Sequence, residues 1–251
     1  HAVLERLVQR SDSTVDTRTC LRDATAQLAR AGRLPLPPFD QRWTEALIEN
    51  LATPLDAYRT LLLAYPQICL ARVVDLDGDG IKLQDTLSHL RTDADGNRLN
   101  LVLQASRLNS GDDLKWYHLV RLWPRHLAAQ LHGATTTRVL GPDTDFTLLP
   151  LAADRAEATL HQLLAGYLEG STDLLPLACK TAFARLGAED ERKANPESVY
   201  EGGYNRAGEG DEHPGYRRFW PSYAALRDDP RSRRLIHQLY RPLYRHARTS
   251  G

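Results

Sequence analysis

A chain of 251 residues with 42% hydrophobic and 25% charged residues has the make-up of a soluble globular protein, long enough to bury one large core or two small ones. Its three cysteines, Cys20, Cys69 and Cys179, form no Cys-x-x-Cys pair, which excludes a disulfide framework and fits a reducing cytoplasm. No apolar run approaches about 20 residues and no signal-peptide pattern opens the chain, so no membrane span is expected.

Residues 2–65 read as helical. Leu21, Ala24, Leu28 and Ala31 keep the helical period, and Gly32 supplies a stop. Leu34-Pro35-Leu36-Pro37-Pro38 is a stiff connector. Trp43, Ala46, Leu47 and Leu51 make the next apolar stripe, and Pro54 restarts a helix carrying Tyr58, Leu61, Leu62 and Tyr65. The period then changes. Residues 68–75, 80–90 and 98–106 are strand-like, with Cys69 a buried strand residue and Asp-Gly turns at 77–80 and 95–96, which predicts a three-stranded antiparallel meander. Ser110-Gly111-Asp112-Asp113 is expected to cap a helix running to about Leu131, kinked or split at Pro124. Two short strands follow near 135–140 and 145–150. A helix over 153–168 should place Leu160, Leu163, Leu164 and Tyr167 on one face and end before Gly170. The last helix should bury Leu235, Ile236, Leu239, Tyr240 and Leu243, turn Arg233, Arg234 and Arg241 outward, and bend or end near Pro242. The division expected is a helical segment, 1–66, followed by a mixed α/β (α+β) domain, 67–251, or one continuous domain over 1–251.

The zero net charge hides a segregation. Gly187–His213 carries eight acidic residues against three basic, whereas Arg217–Arg248 carries nine Arg against two Asp. Such runs are either solvated faces or a surface meeting DNA or an acidic subunit. Lys is confined to positions 82, 115, 180 and 193, a bias that fits a GC-rich genome; a start at His1 without any Met reads as a piece cut from a longer chain.

Several patterns suggest chemistry and fail on inspection. Asp75-Leu-Asp77-Gly-Asp79-Gly80 spells the first half of a calcium loop, but position twelve is Thr86 instead of Glu, so a hairpin turn is expected. No His-Glu-x-x-His pair or phosphate-binding Gly-x-x-x-x-Gly-Lys loop occurs, so no metal, nucleotide or other cofactor is expected. Trp116-Tyr117 and Trp123 stand among Lys115, Arg121 and Arg125, an interleaving that suits stacking on nucleobases, yet Leu114, Leu119, Leu122 and Leu127 make that helix mostly core.

Residues 206–220 read Arg-Ala-Gly-Glu-Gly-Asp-Glu-His-Pro-Gly-Tyr-Arg-Arg-Phe-Trp. Upstream stand Leu122-Trp123-Pro124-Arg125-His126-Leu127 with Gly133, then Gly166-Tyr167-Leu168-Glu169-Gly170 with Pro176-Leu177; downstream runs Arg241-Pro242-Leu243-Tyr244-Arg245. With Ala31-Gly32, Leu34-Pro35 and the helix from Trp43, this order resembles the C-terminal region of the exodeoxyribonuclease V gamma chains, the RecC family. The resemblance spans essentially the whole chain. It implies a domain shaped like a PD-(D/E)xK nuclease with its active site lost. Aligning 83–90 and 101–106 with the strands of active relatives puts Ser88, Gln104 and Ser106 where metal-binding acids and the Lys would stand. Literal matches at Asp113-Leu114-Lys115 and Glu191-Arg192-Lys193 fall elsewhere; only an unusual set of Asp85, Asp113 and Lys115 would rescue catalysis.

The function implied is that of a non-catalytic subunit in a cytoplasmic, ATP-driven heterotrimeric helicase–nuclease that works on double-strand breaks for homologous recombination. It would scaffold the alpha and beta subunits, help split duplex ends and guide the single strands. The contact candidates are Arg107, Lys115, Arg121, Arg125, Arg233, Arg234 and Arg241. The alternatives are an active magnesium-dependent nuclease with displaced ligands and a pure protein-interaction module.

Overall fold

The computed structural model describes residues 16–34, 39–78, 80–111, 113–191, 194–204 and 206–250, with the backbone alone at Asp40, Asp113, Pro214 and 248–250. The expected connector at 35–38 and the helical reading of 2–15 lie outside those residues.

Helix α1 (Thr17–Arg30) starts where the Asp16 side chain accepts from the Thr19 N–H at 3.1 Å, and it buries Leu21 and Ala24 as the period requires. It stops at Gly32, whose φ of 65° suits a residue without Cβ. Helix α2 (Phe39–Ala64) is continuous through Pro54, a correction to the expected restart. The proline removes one backbone bond, but Leu51, Ala52 and Leu55 are buried around it, and their packing offsets the loss of about 3 kcal/mol. Trp43, expected in the apolar stripe, is exposed instead; Ile48 takes the buried place.

The strands are β1 (Gln67–Ile68), β2 (Arg72–Gly78), β3 (Ile81–Leu87), β4 (Arg91–Thr92), β5 (Arg98–Leu103), β6 (Asn109–Ser110), β7 (Asp113–Leu114), β8 (Thr135–Leu140), β9 (Asp145–Leu148), β10 (Gly202–Gly203), β11 (Arg206–Ala207) and β12 (Ala247–Ser250). The main sheet has the order β1-β4-β5-β8-β9-β12 and is antiparallel except where β5 runs parallel to β8, Arg98 facing Thr135 through Leu103 facing Leu140. Helix α3 (Trp116–Gln130) connects these two parallel strands, as a parallel pair requires.

The expected three-stranded meander is therefore two separate hairpins. β2 and β3 pair only with each other, and β4–β5 form a second hairpin inside the main sheet. The break lies at Ser88–Leu90, where His89 adopts a φ of 64° and turns the chain away from the β3 ladder. Cys69 is half-buried between β1 and β2 rather than inside a strand. The first turn uses Gly78 and Gly80; in the second, Asp93 accepts from the N–H groups of Asp95 and Asn97 at 3.0 and 2.8 Å.

Alternation along β5 and β8 sets the layers. Leu103 and Leu140 join Leu21, Ile48, Leu51 and Leu55 on the α1–α2 side, whereas Val139 packs with Leu119, Trp123 and Leu127 of α3 on the other. A central parallel pair covered on both faces reads as a nearly continuous apolar run, as Leu99–Leu103 does. Helix α3 carries Pro124 without a split, and no side chain caps its start; residues 113–114, expected within the cap, form β7 instead.

Helix α4 (Ala153–Thr172) runs past the predicted stop, with Gly166 and Gly170 inside it and Tyr167 exposed. A Cβ on Gly166 would stand 2.9 Å from a Leu239 methyl carbon, so the glycine lets two helices approach. Then come α5 (Cys179–Glu189), α6 (Pro196–Glu201), α7 (Glu209–Glu212), α8 (Pro214–Phe219), α9 (Tyr223–Asp228), α10 (Ser232–Leu235), a π turn (Ile236–Tyr240) and α11 (Arg241–His246). Leu235, Ile236, Leu239 and Leu243 are buried as expected and Tyr240 is partly so. The π turn stands directly before Pro242, which cannot donate to the preceding turn.

Candidate nucleic-acid interface

The positions aligned with a nuclease metal centre lie at the ends of β3 and β5. Ser88 offers its backbone carbonyl to Nη2 of Arg125, whose Nε faces Asn100 Oδ1 at 3.4 Å. Asn100 Nδ2 donates to Thr137 Oγ1 at 3.3 Å, and Thr137 Oγ1 lies 2.9 Å from His126 Nδ1. His126 Nε2 meets the Leu149 carbonyl at 3.1 Å; a carbonyl only accepts, so Nε2 carries the hydrogen and Nδ1 accepts from Thr137. Donation therefore runs one way, from Arg125 through Asn100 and Thr137 to His126 and Leu149. Burial drives the His126 pKa down to about 4, which keeps the ring neutral and the chain of donors intact. Gln104 Nε2 donates to Ser106 Oγ at 2.7 Å, and Ser106 Oγ lies 3.4 Å from His118 Nε2. Polar side chains thus occupy the three aligned positions. Among the described residues no group of three or more His, Cys, Asp or Glu converges on a common centre. Asp75 of the calcium-like turn is engaged by Lys82 Nζ at 3.0 Å and Gln84, and the Lys82 bond holds its carboxyl below the usual range. The side chains of Asp79 and Asp113, and Arg192-Lys193 of the second literal match, lie outside the described residues.

A cationic cluster stands where α3 begins. Lys115 Nζ donates to the Arg107 carbonyl at 3.1 Å. Burial pushes the His118 pKa down, and the charges of Lys115 and Arg121 push it further. The Arg107 side chain is 73% exposed and Arg121 is exposed. Among the described residues the acid paired with Arg107 is Asp143, 4.0 Å from Arg107 Nε, and it is committed to the N–H groups of Leu108 and Asn109 at 2.8 and 2.9 Å. Burial alone would raise the Asp143 pKa, but the N–H groups of Leu108, Asn109 and Asp143 itself, with the charge of Arg107, together bring it below the usual carboxylate range. This is the carboxyl end of β5, beside the crossover to a parallel strand, the place where open sheets with helices on their faces bind ligands.

The remaining candidates fare differently. Arg125 is turned inward. Arg234 Nη2 grips both oxygens of Glu169 at 2.8 and 2.9 Å. Arg241, expected to face outward, lies against the acidic run, 3.4 Å from Glu189 and 3.6 Å from Asp190. The π turn explains this, because an inserted residue rotates everything after it around the helix axis. Arg233 is exposed and has no ion-pair partner among the described residues. Among the described residues the segregated charge runs meet at two arginines, Arg241 and Arg217, the latter paired with Glu201 and, at 3.0 Å, with Asp211.

The Gly208-Glu209-Gly210 segment has a structural role that spacing did not reveal. The buried Glu209 carboxylate accepts from the N–H groups of Lys180 and Thr181 at 2.9 and 2.8 Å and from the Thr181 hydroxyl at 2.8 Å. It caps α5 from 28 or more residues away. A Cβ on Gly208 would fall 2.1 Å from the Tyr200 carbonyl, so only glycine allows this approach.

Beside the cationic cluster opens a cleft of about 970 Å³, shared between α3, α5 and α6. Trp116 and Tyr117 form one side, with Trp116 stacked on Phe183 at 4.3 Å and 3°. Trp123, by contrast, is in the core. Lys115, Lys180 and Arg206 also line the cleft. Lys180 and Arg206 had no signal in the sequence that joined them to Trp116, because they stand on distant segments.

No described helix is long and apolar enough to cross a membrane. No curated protein matches the chain. A family model described as the RecC C-terminal domain matches residues 1–190, about three quarters of the length and all of the main sheet except its edge strand β12. The chain thus belongs to the RecC C-terminal domain family.

Proposed function

We propose that this domain serves exodeoxyribonuclease V as a non-catalytic scaffold and DNA guide, a nuclease-shaped PD-(D/E)xK relative whose metal centre has been replaced by polar contacts. Family membership supports the setting: DNA repair and recombination within a cytoplasmic helicase–nuclease complex, beside the alpha and beta subunits. The observation that carries the guiding role is the gathering of Arg107, Lys115, His118 and Arg121 at one end of β5, where the described acid beside Arg107, Asp143, is already committed to backbone N–H groups. The loss of catalysis is supported by Arg125, whose guanidinium bridges Ser88 and Asn100 beside the positions where acids and a metal would converge. Arg233 adds a further exposed cation away from that cluster in sequence, whereas Arg234 and Arg241 are held by acids of this chain.

The test uses the holoenzyme with Arg107→Ala, Lys115→Ala and Arg121→Ala combined. Each lost phosphate contact lowers the salt slope of DNA binding by about 0.9 for duplex and about 0.7 for single strands. An unchanged slope removes the guiding role. Cleavage by the 251-residue protein in magnesium, abolished by Asp85→Ala or Asp113→Ala, would establish the nuclease reading instead.

The interaction-module reading has its own support. Leu63, Ile68, Leu70 and Val73 are all exposed around the edge strand β1, an apolar run of the kind that subunit contacts cover.

A further inference from the structure

We propose that the cleft between α3, α5 and α6 is a binding slot for an unpaired nucleotide of single-stranded DNA, its base against Trp116 and Tyr117 and its phosphates on Lys115 and Arg206; this rests on the guiding role above and assigns it a strand and a place.

Three observations converge. The first is a ladder of rings. Tyr240 stacks on Phe183 at 5.0 Å and 21°, and Phe183 stacks on Trp116 at 4.3 Å and 3°. Phe183 is buried, and the half-buried Trp116 ends the pile at the cleft wall. A planar base extends such a pile without regard to its identity, because every base has a π-face. The Trp116 ring is also fixed from the side by Tyr244 at 5.3 Å, so little side-chain freedom is lost on stacking.

The second is charge. Lys115 belongs both to the cationic cluster and to the cleft, so a backbone following Arg107 and Arg121 is led into the slot. Arg206 is exposed and has no ion-pair partner among the described residues. Two of the described acids there are already engaged, Glu212 by Lys180 and Asp190 by Arg241. A cationic mouth with neutralised acids suits a phosphodiester and repels a basic peptide.

The third is size and lining. About 970 Å³ lies in the range of sites that take a single small ligand, the scale of one nucleotide. Asn109, Ser110, Asn195 and Ser198 line it with groups that both donate and accept, adaptable to any base edge.

Photochemical cross-linking reads the site directly. The holoenzyme is loaded with a single-stranded oligonucleotide carrying 5-iododeoxyuridine, irradiated and mapped by mass spectrometry. Cross-links at Trp116 or Tyr117 are expected. Tyr117→Ala and Arg206→Ala avoid the packed ring pile, and each is expected to lower both the cross-link yield and single-strand affinity about fivefold or more, with blunt-duplex binding unchanged. Cross-links elsewhere in this chain, together with a normal yield in both variants, overturn the slot but leave the guiding role standing. No cross-link in this chain, together with an unchanged salt slope in the Arg107, Lys115 and Arg121 variant, overturns both. Loss of a partner subunit from the Tyr117 and Arg206 variants, without change in strand cross-linking, makes the cleft a protein groove and also overturns the slot.

Discussion

The sheet with its two helical layers and the lobe formed by residues 173–231 are held together by different physics. In the first, Leu99, Leu119, Trp123, Leu127, Val139 and Leu148 are buried around a neutral polar chain ending at His126. In the second, Ala182, Phe183 and Leu186 of α5 join the core of the body, and the rest of the lobe has only a small apolar cluster, with Ala178, Tyr200, Trp220 and Leu226 as its buried members. Charges supply what is missing: Glu209 capping α5, Arg217 between Glu201 and Asp211, and Arg231 between Asp173 and Asp229. Apolar burial is not screened by salt, whereas half-exposed ion pairs are. A region built mainly from the second kind of contact can open while the first stays folded.

The largest effect should come from Trp123→Ala, which hollows the body and is expected to cost about 3–5 kcal/mol. Denaturant unfolding followed by hydrogen exchange should show the amides of β5, β8 and α3 losing protection together. If only the lobe responds, the division is wrong.

Glu209→Ala should cost about 3 kcal/mol, because it strands two buried N–H groups and a hydroxyl that now meet a carboxylate. Faster exchange is expected over 178–189 and 200–226, with β5 and β8 unchanged. Uniform loss across the molecule would show that lobe and body unfold as one.

Acid separates the regions in the other sense. The His126 pKa is lowered from 6.5 to about 4, so the unfolded chain binds the proton more readily. The stability contributed by the neutral ring is complete above about pH 6.5, falls as pH drops and levels near pH 4, a loss on the order of 3 kcal/mol. His126→Gln should remove that component of the acid response and leave the exchange of lobe amides as it was; an unaltered pH profile would refute the assignment.

Smallest is Arg217→Ala. Its side chain is 27% exposed, and loss of its two ion pairs is expected to cost about 1–2 kcal/mol at low salt and less in 1 M NaCl. A salt-independent cost would point to packing of the guanidinium over Tyr200, 5.4 Å away, as the main contact.

Much of the body was legible beforehand because it rests on local rules. The period of Leu21 and Ala24, the stop at Gly32, the turns at Asp-Gly and the strands expected near 135–140 and 145–150 each depend on neighbours in the chain. The failures share a cause too. Pro54 was read as a restart and a split was one of two outcomes expected at Pro124 because the local cost is real, but each helix runs on through its proline, with buried residues on both sides. The meander was assembled from three strand signals that each fall on strand residues, the first broken between β1 and β2, yet strand pairing is set by what lies across the ladder, and His89 sent β4 to a different sheet.

The site divides in the same way. Composition and spacing alone determined the residue types on offer: a chain with Ser88, Gln104 and Ser106 at the aligned positions, an interleaved Lys115-Trp116-Tyr117, and acidic and basic runs of opposite sign. Only the tertiary structure decided which cations are spent. It turned Arg125 inward, placed Arg234 on Glu169 and Arg241 on Glu189 and Asp190, left Arg107, Arg121 and Arg233 exposed, and brought Arg206 to the cleft of Trp116. The reason is range: a helical or strand period is written in residues a few positions apart, whereas the partner of a charge is whatever packing brings within about 4 Å, however distant along the chain.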